Sequence, residues 1–76
     1  MDEDLAYLQT MTHKFAETIL IAYKRRFPKE TPQSRTITIN SLLTALMAYL
    51  NTMEPVDRAN AIDAIILAFE EMIKDA

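Results

Sequence analysis

The chain contains no glycine among its 76 residues. Type I′ hairpins, phosphate-cradling loops and the sharp elbow that presents a nucleophilic serine all depend on glycine. They need either a positive φ or a close backbone approach, and glycine provides both without steric cost. Cysteine is absent too, which removes disulfides, zinc–thiolate sites and thiol nucleophiles. The sequence therefore argues against whole families of nucleotide-binding and thiol-dependent enzymes.

The length allows one domain, which we place over residues 1–76, near the lower limit for independent folding. A chain of this size buries only about 60% of its unfolded surface, so oligomerisation is the leading remaining source of stability. The net charge is −3, and the acidic start has the wrong sign for a signal peptide. We expect a cytoplasmic protein without a membrane span, because the charge-free stretch 36–53 contains several polar side chains.

Apolar periodicity predicts an all-α fold, a small three-helix bundle. Helix 1 covers about 3–27 and is unusually long for so small a protein, helix 2 covers about 40–53, and helix 3 covers about 55–74. We expect helices 2 and 3 to form an antiparallel hairpin. Helix 1 carries a heptad-like seam, and its members are Leu5, Leu8, Thr12, Phe15, Ile19, Ala22 and Arg26.

The connector between helices 1 and 2 allows two interpretations. Pro28 ends helix 1, and residues 28–38 are predicted to form an exposed, proline-containing linker. Within it, residues 35–39 alternate polar and apolar side chains as a short strand does. The same residues can instead lead into a helix that is capped by Asn40 or Thr38.

The helices carry more apolar surface than a three-helix monomer can cover. Helix 2 is uncharged on every side, and helix 3 places Leu67 on its polar face. Large apolar patches on soluble proteins mark interfaces, so we expect a homo-oligomer, most simply a dimer. The alternative is that helix 2 is a central helix covered by the other two. The predicted dimer or partner surface consists of Leu43, Met47, Leu50 and Leu67.

Charge is unevenly distributed along the chain. Five of the eight basic residues fall within twelve positions that contain a single acid, Glu30, whereas both chain ends are acidic. One interpretation is a helix end that complements its dipole, followed by a solvated loop. The other is a basic face for an acidic protein surface or for phosphates. We define the basic cluster as Lys24, Arg25, Arg26, Lys29 and Arg35.

No arrangement of side chains in the sequence is typical of catalysis. The single histidine, His13, lies one turn from Glu17, a spacing that can share a metal, but no third ligand is evident. Acid pairs lack the loop spacing of a calcium site. We therefore predict a chain that is not an enzyme and that has no cofactor or metal.

These observations support two hypotheses about function. The first is a helical protein–protein interaction module, a homodimer that inhibits, chaperones or adapts another protein. The second is a DNA-binding regulator, because the order and lengths of the elements over residues 35–74 resemble the ribbon-helix-helix pattern. Against it, Arg35 is the only strong base-reading side chain in the expected ribbon, and the second helix of that pattern is acidic.

Overall fold

The computed structural model describes residues 2–75 and contains three helices: α1 (Asp2–Arg26), α2 (Pro32–Leu50) and α3 (Pro55–Asp75). No strand occurs among the described residues. The predicted all-α class with three helices is therefore confirmed. The chain divides into two units, Met1–Thr38 and Ile39–Ala76, which are described separately. The single-domain organisation, the helical hairpin and the dimer remain predictions.

Helix α1 carries opposite charges at its two ends. Three acids lie in its first turn and three basic residues in its last, so both ends complement the helix dipole. Its hydrogen bonding continues for one residue beyond Arg26, because the Phe27 N–H donates to the Tyr23 carbonyl at 2.9 Å. Pro28 has no N–H to donate, and the helix stops before it.

Helix α2 begins at Pro32, eight residues before the predicted start, so the predicted linker over 28–38 was too long. The cause is a reciprocal cap at the first turn. The Ser34 N–H donates to Oγ1 of Thr31 at 3.1 Å, and the Thr31 N–H donates to Oγ of Ser34 at 2.9 Å. This is a capping box in which serine replaces the usual acidic residue, and proline occupies the favoured first helical position.

The extended conformation given as one interpretation of residues 35–39 was wrong, because all five residues are helical. Alternation over so few positions does not distinguish a strand from a helix when the polar members are threonines. Here Oγ1 of Thr36 donates to the Pro32 carbonyl at 3.0 Å, and Oγ1 of Thr38 donates to the Ser34 carbonyl at 2.8 Å. Both hydroxyls are satisfied within the helix, which makes its interior tolerable for them.

The second unit contains the junction between α2 and α3. Helix α2 ends at Leu50, three residues before the predicted end, and a turn over residues 51–53 leads to α3 at Pro55. The Met53 N–H donates to the Leu50 carbonyl at 3.1 Å, which tightens the turn. Arg58, in the first turn of α3, completes the junction: its Nε donates to the Leu50 carbonyl at 3.1 Å and one Nη to the Met53 carbonyl at 3.0 Å.

Helix α2 contains most of the charge-free stretch considered above as a membrane candidate. Within residues 2–75, none of the three helices combines the length and apolarity needed to cross a bilayer.

Candidate interaction surfaces

The basic cluster lies entirely in the first unit, Met1–Thr38. The last turn of α1 contributes Lys24, Arg25 and Arg26, the connector contributes Lys29, and the second turn of α2 contributes Arg35. All five side chains are exposed. The early start of α2 places Arg35 on a helix instead of on the predicted strand.

Only one member of the basic cluster is neutralised by an acid in the described part of the chain. An Nη of Arg35 lies 3.3 Å from a carboxylate oxygen of Glu30, and both side chains are largely exposed. No ion pair joins Lys24, Arg25, Arg26 or Lys29 to any acid among the described residues. Exposed pairs contribute at most about 1 kcal/mol, so the Arg35 pair stabilises the connector only weakly. The remaining four charges stay available to a partner.

An open concavity of about 480 Å³ adjoins the basic cluster within the first unit. Its lining surface is mostly apolar, and the residues that line it are Arg26, Phe27, Pro28, Lys29, Thr31, Gln33, Ser34 and Ile37. Ligand pockets have similar volumes, but they enclose most of the ligand surface. This concavity is open to solvent and is better suited to a protruding side chain of a macromolecular partner.

The seam predicted on α1, which we call the α1 stripe, is exposed along its length. Its large apolar side chains range from 42% exposed at Ile19 to 63% at Phe15. No residue of α1 is buried among those described. The one polar residue in the middle of the α1 stripe is Thr12, whose Oγ1 donates to the Leu8 carbonyl at 2.7 Å. That bond leaves the α1 stripe apolar in character.

Helix α3 also carries an exposed apolar stripe. Four large side chains repeat at helical spacing, from 39% exposed at Ile62 to 74% at Ile73. Leu67, predicted to belong to the dimer or partner surface, is exposed as well. Of the other residues predicted for that surface, Leu43 and Met47 on α2 are exposed. This unit therefore leaves three of the four predicted contact residues accessible.

Leu50 is less exposed than the other three residues of the predicted dimer or partner surface. It is only 9% exposed, and it is the one buried hydrophobic residue among those described. It ends α2, where the turn folds back and its carbonyl accepts the Arg58 guanidinium. Little of its side chain can contact another molecule, so its burial does not support its place on the predicted surface.

Two structural features were missed from the sequence. The capping box had a signal, a threonine followed by proline and, three residues after the threonine, by serine, in Thr31-Pro32-Gln33-Ser34. Ser34 is only 6% exposed, which makes it the one buried polar side chain among the described residues. Arg58 had no such signal, because its contact with Leu50 joins residues eight positions apart across a turn.

Clusters of metal-ligating side chains are absent from the described part of the chain: no three His, Cys, Asp or Glu residues lie close enough together to hold an ion. His13 and Glu17 are both exposed on α1. No protein-family model, curated protein or solved structure matches the chain.

Proposed function

We propose that the chain is a non-catalytic helical interaction module that forms a homodimer and docks on another protein to inhibit, chaperone or adapt it. The observation that carries this proposal is the exposure of the α1 stripe and of the stripe on α3. Burial of apolar surface stabilises proteins by about 25 cal/mol per Å². A chain that leaves two such stripes exposed gains substantially by covering them with a second protein surface.

The basic cluster supports the choice of an acidic partner surface. Four cations without an acid beside them attract acidic side chains, and the neighbouring concavity can accept an apolar side chain. Electrostatic complementarity of this kind speeds encounter and selects partners more than it adds affinity. Since the chain as a whole carries a net charge of −3, this attraction is local to the cluster. A cysteine-free chain fits a reducing compartment, and we place the module in the cytoplasm.

The dimer is tested by a matched pair of substitutions on α1. Ile19 lies on the α1 stripe and Ile21 on the opposite face, since two residues rotate a helix by about 200°. The two side chains are similarly exposed, at 42% and 45%. Sedimentation equilibrium should show a wild-type dimer, a mostly monomeric Ile19→Glu variant and an unchanged dimer for Ile21→Glu.

The control substitution matches the test in chemistry, helix and exposure, so loss of helicity affects both equally. A wild-type chain that stays monomeric at every concentration would contradict the dimer. Equal dissociation of both variants would show that the α1 stripe is not the contact.

Docking through the basic cluster is tested with Lys24→Glu/Lys29→Glu. A matched control, Lys14→Glu/Lys74→Glu, makes the same change in net charge outside the basic cluster. We expect partner recovered from a native-host extract with tagged protein to fall about tenfold for the first variant and to stay within about twofold for the control, because opposed charges replace complementary ones. Equal recovery with both variants would remove the basic cluster from the docking surface.

The DNA-binding alternative is not favoured by any observation in the structure. A ribbon-helix-helix protein inserts paired strands into the major groove, and the residues expected to form that strand are helical. The ratio of absorbance at 260 and 280 nm in the same purified samples tests it directly. Co-eluting nucleic acid that is released as salt rises would restore the alternative.

A further inference from the structure

The charges at the two ends of α1 are opposite in sign. Asp2, Glu3 and Asp4 lie in its first turn, and Lys24, Arg25 and Arg26 lie in its last. Two copies of this helix that pair in parallel place acids beside acids and basic residues beside basic residues. An antiparallel pair places each acidic end beside a basic end. Charge complementarity at both ends therefore selects a second copy in the antiparallel orientation.

We propose that two copies of the chain pair through their α1 stripes as antiparallel helices, with the twofold axis near residues 13 and 14. This inference rests on the dimer in the proposed function and adds the contact surface, the orientation and the register. The alternating spacing of the α1 stripe is that of helices that pack side by side in a coiled coil. In this register α1 overlaps its partner over nearly its full length, which is roughly 36 Å at 1.5 Å per residue.

In two of the three kinds of layer that this register forms, a large side chain faces a smaller one. Leu5 faces the partner's Ala22, Leu8 faces the partner's Ile19, and Thr12 faces the partner's Phe15, and the twofold axis repeats each layer. Alternation of large and small residues across facing positions lets layers fill the space between helices without voids.

The polar member of these layers can be buried at low cost. Burial of a hydroxyl is unfavourable unless it is hydrogen-bonded. Oγ1 of Thr12 already donates to the Leu8 carbonyl at 2.7 Å, so it needs no bond from the partner. Its methyl group is then free to contact the facing aromatic ring.

One ion pair reports on the orientation. Asp4 and Arg25 are three heptads apart and precede Leu5 and Arg26 of the α1 stripe, so both flank the stripe on the same side. In the antiparallel pair Asp4 lies beside the partner's Arg25, and symmetry forms this contact twice. Arg25 then contributes to the dimer contact, and docking on an acidic partner is left to the other members of the basic cluster. In a parallel pair these two positions lie at opposite ends of the helices.

The test is a charge-reversal cycle measured by sedimentation equilibrium. Asp4→Arg and Arg25→Asp each replace two attractions by two repulsions, so each should raise the dimer dissociation constant about tenfold. The double variant restores both attractions with the signs exchanged, and its dissociation constant should return to within about threefold of wild type. Glu3→Arg and Lys24→Asp make the same charge changes one position away, where the side chains point away from the partner helix. These two variants should change the dimer dissociation constant by less than about twofold.

Single variants that match these controls, or a double variant weaker than either single one, would overturn the antiparallel register. If the wild-type chain dimerises and Ile19→Glu dissociates it while the charge cycle has no effect, only the orientation fails. A wild-type chain that is monomeric throughout defeats the dimer and this inference together.

A distance measurement tests the orientation of the two helices even if charge reversal alters helicity. Since the chain has no cysteine, Lys24→Cys accepts a single nitroxide label. The rise per residue and the usual helix spacing give a label separation of about 40 Å for the antiparallel dimer and about 25 Å for a parallel one. A distance near the shorter value would overturn the proposal.

Discussion

At the residue scale, Arg58 connects the start of α3 with the end of α2 in the second unit. Its guanidinium donates to the carbonyl of Leu50, the last residue of α2, and to the carbonyl of Met53 in the turn that follows. Helix ends leave carbonyls without partners, and a cation near them also complements the helix dipole. The side chain is half-buried, so water replaces these bonds only in part.

We expect Arg58→Met to lower the free energy of unfolding by about 1.5–3 kcal/mol, because hydrogen bonds from a charged group are lost while the aliphatic stem is kept. Arg35→Met is the matched control. It removes an exposed ion pair and should change stability by less than about 1 kcal/mol. Urea denaturation followed by circular dichroism measures both. Equal effects would show that the Arg58 bonds add nothing beyond an exposed contact.

At the element scale, the first turn of α2 determines what residues 35–39 become. Thr31 and Ser34 cap each other, and Pro32 has the φ of a helix before folding begins. Once this turn has formed, each following residue adds one hydrogen bond, so extension through Ile39 is favourable. The helix therefore continues through a segment whose alternation resembles a strand.

Thr38→Pro tests the helical state of this segment. Proline in a helix interior removes a hydrogen bond and clashes with the preceding turn, which costs about 3 kcal/mol, whereas an extended edge tolerates it. We expect a clear loss of ellipticity at 222 nm and loss of helical Cα chemical shifts for residues 35–39. Thr38→Ala, which keeps the backbone bond, should retain both signals. Unchanged shifts in the proline variant would indicate extended backbone.

At the scale of the whole molecule, the main feature is that large apolar side chains are exposed to solvent. Leu50 is the only buried hydrophobic residue among those described, while large apolar side chains on all three helices are exposed. Small chains without disulfides or metals have few other sources of stability. Association between copies is the source that the proposed dimer supplies, and it makes stability depend on concentration.

The midpoint of thermal unfolding should therefore rise with protein concentration, because mass action favours a folded dimer over separated unfolded chains. Scans over a hundredfold range of protein concentration should shift the wild-type midpoint upward by several degrees. A hundredfold increase in concentration raises the free energy of unfolding of the dimer by about 2.7 kcal/mol. The Ile19→Glu variant should unfold at one temperature throughout. A wild-type midpoint independent of concentration would contradict the dimer.

The sequence by itself determined the all-α class, the three helices, the end of α1 shortly before Pro28 and the start of α3 at Pro55. These depend on local effects, namely apolar periodicity and the geometry of proline. It also identified the basic cluster and three of the exposed apolar residues, Leu43, Met47 and Leu67.

Only the folded structure showed where α2 begins and ends and which residues are withdrawn from solvent. The capping box required two side chains and two backbone groups to meet in one geometry, and the sequence allowed Asn40 or Thr38 as caps as readily. The burial of Leu50 and the reach of Arg58 depend on a turn that brings residues eight positions apart together. Periodicity describes one helix at a time, so it carries no information about contacts made across a turn.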